Sequence, residues 1–270
     1  MKNIIALLVF SITFLVSGII DLGNEAFYKG DYKKAKEYYE QSAQNGEGVG
    51  YNNLGLLYDK GYGVKVDLKK SFKLYKKSCE LGYISACYNL GVCYDDALGV
   101  EQNFTKAALL YEKACKSDDI KACYNLGVIY DKAKGFKQNY KMARALYNIA
   151  CKGGHMGACY NLGVLYHFGR GVKKDIEKAK IIYAKSCNGK EILACNNLGV
   201  IYQNKKEFTK AKELYIISCK GNYKLACRNI AWLYITGNGV TKNREVANKY
   251  YKKACNLNDS KSCKALRVSY

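Results

Sequence analysis

Apolar residues recur along the chain with a helical period, and one stretch of them recurs almost word for word. Ala86, Leu90, Cys93 and Ala97 fall at i, i+4, i+7 and i+11, one stripe of an amphipathic helix. The text around that stripe is Tyr88-Asn89-Leu90-Gly91-Val92-Cys93-Tyr94. It returns as Tyr124-Asn125-Leu126-Gly127, Tyr160-Asn161-Leu162-Gly163 and Asn196-Asn197-Leu198-Gly199. An earlier copy opens at Asn52-Asn53-Leu54-Gly55, and a drifted last copy runs Arg228-Asn229-Ile230-Ala231-Trp232. Glycine inside a helix costs about 0.5–1 kcal/mol relative to alanine. Its return at Gly55, Gly91, Gly127, Gly163 and Gly199 predicts a neighbouring helix that approaches closely there.

A second helix follows each of these. It carries a small residue at Ser71, Ala107, Ala143, Ala179, Ala211 and Ala247. Four residues on stands Tyr75, Tyr111, Tyr147, Tyr183, Tyr215 or Tyr251, on the same helical face. Between the helices lie glycine-bearing turns such as Gly61-Tyr62-Gly63-Val64 and Gly169-Arg170-Gly171-Val172. Asp67, Asn103, Asn139, Asp175 and Asn243 close those turns and are predicted N-caps of the second helices.

Thirteen cysteines sharpen the period. Twelve form C-x7-C pairs: Cys79/Cys87, Cys115/Cys123, Cys151/Cys159, Cys187/Cys195, Cys219/Cys227 and Cys255/Cys263. The pairs start 36, 36, 36, 32 and 36 residues apart, the period of an all-α array of helical hairpins. In one straight helix, residues eight apart are separated by about 12 Å. A disulfide requires Cα atoms within about 7 Å. The chain must therefore reverse inside each x7 segment, and Gly82, Gly153 and Gly154 stand where such turns want them. Each bridge then joins the end of a second helix to the start of the next first helix. In the loop-entropy model each ring contributes about 2.5 kcal/mol. Long-range pairing is the alternative, and the regular repeat argues against it. A zinc reading is weaker still, because ligand pairs are normally two to four residues apart. Cys93 is left over; Leu57, Ile129, Leu165, Ile201 and Leu233 at its equivalent positions predict a buried thiol.

Composition narrows the function classes. At 49% hydrophobic, the 270-residue chain has ample core material. Only two histidines, His155 and His167, are present, so no multi-histidine metal centre is expected, and no cofactor is implied. Lys plus Arg number 44 against 23 Asp plus Glu, a net charge of +21. Only Arg144, Arg170, Arg228, Arg244 and Arg267 are arginines. Nucleic-acid readers rely on arginine forks, so nucleic acid is not expected. The lysine coat reads as a solvated surface, or as a surface for an acidic envelope polymer.

At the N-terminus, Lys2 precedes the 13-residue apolar run 4–16, and Val16-Ser17-Gly18 offers a cleavage site. Residues 1–18 read as a secretory signal peptide. An uncleaved anchor over the 17 apolar residues 4–20 is the alternative. Export predicts a secreted or periplasmic protein whose residues 19–270 form a single repeat solenoid, with its cysteines in an oxidising space.

The motif Leu198-Gly199-x2-Tyr202-x8-Ala211 resembles the tetratricopeptide repeat, as does Leu22-Gly23-Asn24 with Gly30-Asp31-Tyr32-x2-Ala35. The other units carry four extra turn residues ending Gly-Val or Gly-Phe, and these resemble Sel1-like repeats. The C-x7-C pairs at this period resemble the Helicobacter cysteine-rich protein family of secreted, disulfide-stapled Sel1-like proteins. That resemblance covers residues 22–270. It implies a right-handed α/α superhelix of about seven helix pairs, with a closing helix near residues 260–270 and first helices on a concave face. Ala43 and Tyr51 at the first junction, and the shortened turn 203–208, depart from the pattern.

Two functions compete. The first is a scaffold, expected as a monomer, binding a protein or peptide. Asn53, Asn89, Asn125, Asn161, Asn197 and Asn229 each precede the core Leu or Ile of a first helix, although asparagine is a poor helix former. A carboxamide donates and accepts at once, so a ladder of them suits an extended peptide backbone. The competing role for these residues is to bond the neighbouring repeat's backbone and hold the array together. The second function comes from the resemblance, which implies penicillin binding and weak β-lactamase activity and hence a β-lactam or peptidoglycan-related ligand. The residues give it no independent support: S-x-x-K and K-T-G are missing, and Ser186-Cys187-Asn188 matches S-x-N only through a paired cysteine. No catalytic residue is assigned.

Overall fold

A computed structural model describes residues 18–267. The predicted signal segment 1–18 lies outside these residues except for Gly18. Fifteen helices and no strand are found among the described residues. Helix α1 covers residues 18–28. There follow α2 (Tyr32–Gln44), α3 (Gly48–Lys60), α4 (Leu68–Glu80), α5 (Ile84–Asp96), α6 (Phe104–Cys115) and α7 (Ile120–Lys132). Then come α8 (Tyr140–Lys152), α9 (Met156–Phe168), α10 (Ile176–Asn188), α11 (Ile192–Asn204), α12 (Phe208–Lys220), α13 (Lys224–Thr236), α14 (Arg244–Asn256) and α15 (Ser260–Arg267). The chain divides into two compact units, one ending at Gln138 and one beginning at Asn139. Within each unit, helices consecutive in the chain pack on one another, for example α3 on α4, α4 on α5 and α9 on α10.

The second helices start where a side chain can satisfy their free N–H groups. The side-chain oxygens of Asp67, Asn103, Asn139, Asp175 and Asn243 accept from Lys70, Lys106, Met142, Lys178 and Val246 N–H at 2.8–3.0 Å. Each such cap is worth about 1 kcal/mol. The capping residues also close the turns behind them, for Asp67 N–H donates to the Tyr58 carbonyl and Asn103 N–H to that of Tyr94. Where the four extra turn residues are missing, between α1 and α2 and between α11 and α12, three residues make the connection.

The apolar stripe of α5 is one residue shorter than its spacing predicts. Ala97 is the C-cap in the left-handed conformation, φ 58°, and it is exposed, so the stripe ends at Cys93. Ala133 does the same after α7. The position where only glycine fits is two residues on. At Gly99, φ is +71° and a Cβ would stand 2.1 Å from the Leu68 carbonyl oxygen.

The helical glycines mark where a tyrosine ring from the following helix comes to rest. A Cβ at Gly55, Gly91, Gly163 or Gly199 would stand 2.6–2.7 Å from Cε1 of Tyr75, Tyr111, Tyr183 or Tyr215. Those four rings are at most 3% exposed. The close approach is thus made by an aromatic side chain of the second helix, which carries a large apolar area into the core.

Six disulfides join the second helices from α4 onward to the first helix that follows each: Cys79–Cys87, Cys115–Cys123, Cys151–Cys159, Cys187–Cys195, Cys219–Cys227 and Cys255–Cys263. Their Cα atoms are 4.6–4.8 Å apart, within the range a bridge needs without backbone movement. The chain reverses through one left-handed residue per junction, Gly82 and Gly154 in two of them and Asp118, Lys190, Asn222 and Asn258 in the others. The uncrosslinked junction between α2 and α3 has Ala43 and Tyr51 at the staple positions. There Ser42 Oγ donates to Glu47 Oε2 at 2.6 Å. Cys93 is a buried free thiol, and burial, with Asp59 nearby, pushes its pKa up to about 12.

Candidate functional site

One asparagine per first helix sits beside the core residue of that helix, on α3, α5, α7, α9, α11 and α13. Asn53, Asn89, Asn125, Asn161, Asn197 and Asn229 are all half-buried, whereas the following Leu or Ile is buried. Helical spacing places these carboxamides just off the stripe centre, at the edge of solvent.

Many of these carboxamides are oriented by one another. In the first unit, Asn89 Nδ2 donates to Asn52 Oδ1 at 2.9 Å and Asn52 Nδ2 to Asn53 Oδ1 at 3.1 Å. Asn53 Nδ2 in turn donates to Asn24 Oδ1 at 3.3 Å, and the Tyr39 hydroxyl donates to the same oxygen at 3.0 Å. Four carboxamides from three first helices thus form one connected chain. In the second unit, Asn229 Nδ2 donates to Asn196 Oδ1, Asn196 Nδ2 to Asn197 Oδ1, and Asn197 Nδ2 to the Tyr183 hydroxyl oxygen. Burial pushes the hydroxyls of Tyr75, Tyr111, Tyr183 and Tyr215 well above the ordinary tyrosine range, so they remain neutral.

The bonds that cross between repeats, Asn53 to Asn24, Asn89 to Asn52 and Asn229 to Asn196, run from side chain to side chain, where the sequence predicts bonds to the neighbouring backbone. The partners Asn24, Asn52 and Asn196 escaped the sequence reading. The doubled Asn52-Asn53 and Asn196-Asn197 were the available signal. A row of cation–π contacts also escaped it. Lys70, Lys106, Lys178 and Lys210, near the starts of the second helices, lie over the rings of Tyr58, Tyr94, Tyr166 and Tyr202 with Nζ 4.0–5.3 Å from the centroids. Each ring holds one lysine at the protein surface.

Among the described residues, no three His, Cys, Asp or Glu side chains gather where they could hold a metal ion. No described helix is long and apolar enough to cross a membrane. Six disulfides suit an oxidising extracellular or periplasmic environment.

The Sel1 repeat model matches residues 48–83, 84–119, 120–155, 157–190 and 224–259, more than half of the chain. The tetratricopeptide repeat model matches residues 18–44 and 192–216, the two places where the turn is short. No curated protein matches the sequence. Among solved structures, a protective antigen of uropathogenic Escherichia coli with an SLR fold is 28% identical, with a TM-score of 0.87 over 96% of this chain. The chain spans 58% of that antigen's length. A Sel1 repeat protein from Oxalobacter formigenes is 27% identical, with a TM-score of 0.77 over 88% of this chain and 99% of its own. Cysteine rich protein B of Helicobacter pylori is 30% identical over 49% of this chain and 95% of its own, with a TM-score of 0.39.

Proposed function

Because the chain belongs to the Sel1 repeat family, we propose that this disulfide-stapled helical scaffold is exported and holds a protein or peptide partner along the first helices of its repeats. The observation that carries the reading is the row of half-buried asparagines, one per repeat. A carboxamide offers two donors and two acceptor lone pairs. In Asn53, Asn89 and Asn229 one bond to a neighbouring repeat orients the carboxamide and leaves capacity for a partner's backbone. Preorganised groups lose less conformational freedom on binding than mobile ones. The same residues then serve both the array and the ligand.

Export rests on the signal-like residues 1–18 and on the oxidising conditions that six disulfides need. A secreted or periplasmic protein of net charge +21 favours partners with acidic groups, an anionic envelope polymer or peptide among them. No catalytic residue is assigned.

The test is selection of extended peptides from a display library on the oxidised protein, followed by binding of the selected peptide to Asn161→Ala. The expected result is a saturable complex that Asn161→Ala weakens while the variant stays folded at the assay temperature. A library that yields no sequence above background contradicts the reading. So does β-lactam turnover that co-purifies with the oxidised protein and vanishes on reduction, which would point to an enzyme.

A further inference from the structure

The last helix pair breaks the pattern of the others at two positions that meet in space. Ile235 on α13 stands where the earlier first helices carry Asp59, Asp95, Asp131, His167 and Gln203. Arg244, the first residue of α14, stands where the others carry Leu68, Phe104, Tyr140, Ile176 and Phe208. Lys242 occupies the position of Val66, Gln102, Gln138 and Lys174; the Gln102 and Gln138 amides donate to the Asp95 and Asp131 carbonyls, a bond that Lys242 does not make in the last pair. Ala231 replaces the helical glycine, and Tyr251, the tyrosine of this pair, is half-buried where its counterparts are buried.

Ile235, Lys242, Arg244 and Tyr251 line an open pocket of about 560 Å³, and α15 adds Lys261, Lys264 and Ala265 to its wall. Among the described residues, four cations and no carboxylate line the pocket. Two acids close by in the sequence, Asp259 and Glu245, are engaged elsewhere. Asp259 accepts from Arg228 at 2.9 Å and from the Ser262 hydroxyl at 2.6 Å, and Glu245 pairs with Lys249 at 2.9 Å. Among the described residues none of the four cations makes an ion pair. In earlier repeats the matching tyrosine hydroxyl reaches an acceptor, as Tyr215 does to Gln203 Oε1 at 2.9 Å. Ile235 offers Tyr251 no such acceptor.

From this geometry we infer an anion-binding pocket at the end of the last repeat, built for a compact ligand that carries two or more phosphate groups. The terminal repeat of an array needs a polar outer face. That requirement alone does not select cations only. A concave surface lined by one sign of charge focuses its field on the centre. The Arg244 fork matches two phosphate oxygens, while lysines bind as point charges. One carboxylate would leave most of this charge unneutralised; clustered phosphates would not. Those phosphates can belong to a free molecule or to a lipid headgroup. The inference is independent of the asparagine row, and its failure would leave that reading untouched.

The test uses the oxidised full chain and inorganic pyrophosphate in calorimetric titration at physiological salt. Three proteins are compared: the wild type, Arg244→Gln with Lys264→Gln, and a charge-matched control, Lys33→Gln with Lys121→Gln, on exposed residues of the first unit. The expected result is saturable binding that the pocket variant weakens about tenfold or more and the control leaves intact. All three should melt together, because the substituted side chains are exposed. A second arm uses phosphatidylcholine vesicles carrying a phosphoinositide. Capture that is lost only in the pocket variant supports the same site reading phosphates on a lipid. Equal losses in the pocket variant and the control, or the absence of saturable pyrophosphate binding, overturn the inference.

Discussion

The ring of Tyr111 on α6 rests against α5 at Gly91, so closely that a Cβ at Gly91 would stand 2.7 Å from its Cε1. This contact is the packing unit of the fold. The second helix delivers its tyrosine, and the first helix withdraws a side chain to receive it. Gly91→Ala gains about 0.5–1 kcal/mol of helix propensity. It also overpacks a site that costs about 1–3 kcal/mol to distort. The ring is 1% exposed and has no room to yield, so the steric term wins. Urea unfolding of Gly91→Ala should show a lower midpoint than wild type. A higher midpoint would mean that the ring moves aside at little cost.

The junction between α2 and α3 lacks the staple carried by the six that follow. Ala43→Cys with Tyr51→Cys should form a seventh bridge, since these residues hold the sequence register of the other pairs. Comparison of the oxidised double variant with its own selectively reduced form cancels the lost Tyr51 packing. The bridge should contribute about 2.5 kcal/mol. Failure of the two thiols to oxidise would show that this junction turns differently.

Asn89 links two repeats through Asn52 at 2.9 Å. Asn89→Ala removes a donor and leaves the buried Asn52 oxygen short of a partner, so about 1 kcal/mol of stability should be lost. Chemical denaturation of Asn89→Ala measures the loss directly. An unchanged midpoint would mean that these carboxamide bonds do not hold the array.

Asp259 at the start of α15 makes the last junction sensitive to acid. Burial pushes its carboxyl pKa up, but the Ser262 hydroxyl and N–H, together with Arg228, outweigh burial and hold it below the ordinary aspartate range. A carboxyl lowered by folding stabilises the folded state above its unfolded pKa, and that contribution is lost as pH falls through the folded value. The wild type should therefore lose stability as pH drops below about 4. Asp259→Asn keeps a capping oxygen but removes the charge. It should be less stable near neutrality and show a smaller acid loss. Parallel melting curves against pH for the two proteins would contradict this role for Asp259.

Much of the fold was legible because each repeat poses the same local problem. Asp67, Asn103 and Asn139 read as caps from residue type and place, and their side chains make the capping bonds. The four extra turn residues separate Sel1 repeats from the tetratricopeptide-like pairs, and the family matches divide at the same places. Ala97 misled the reading because an apolar residue on a helical stripe looks the same whether the chain continues as a helix or turns left-handed. The asparagine contacts were hidden for a different reason. Periodicity reports which face a residue occupies, but a bond from Asn89 to Asn52 spans a repeat and depends on how two helices sit side by side. The pocket near Arg244 was visible only as drift in the last copy. What the drift assembles depends on Lys261 and Lys264, which α15 brings back beside Ile235.

The central claim is that each second helix from α4 onward is stapled to the next first helix and that Cys93 stays apart in the core. Proteolysis of the purified protein without reduction, with mass spectrometry of the linked peptides, tests it most directly. The account predicts six linked pairs, each joining cysteines eight residues apart, and one thiol, Cys93, that reacts only after denaturation. A bridge between distant repeats, or Cys93 found in a disulfide, would contradict it.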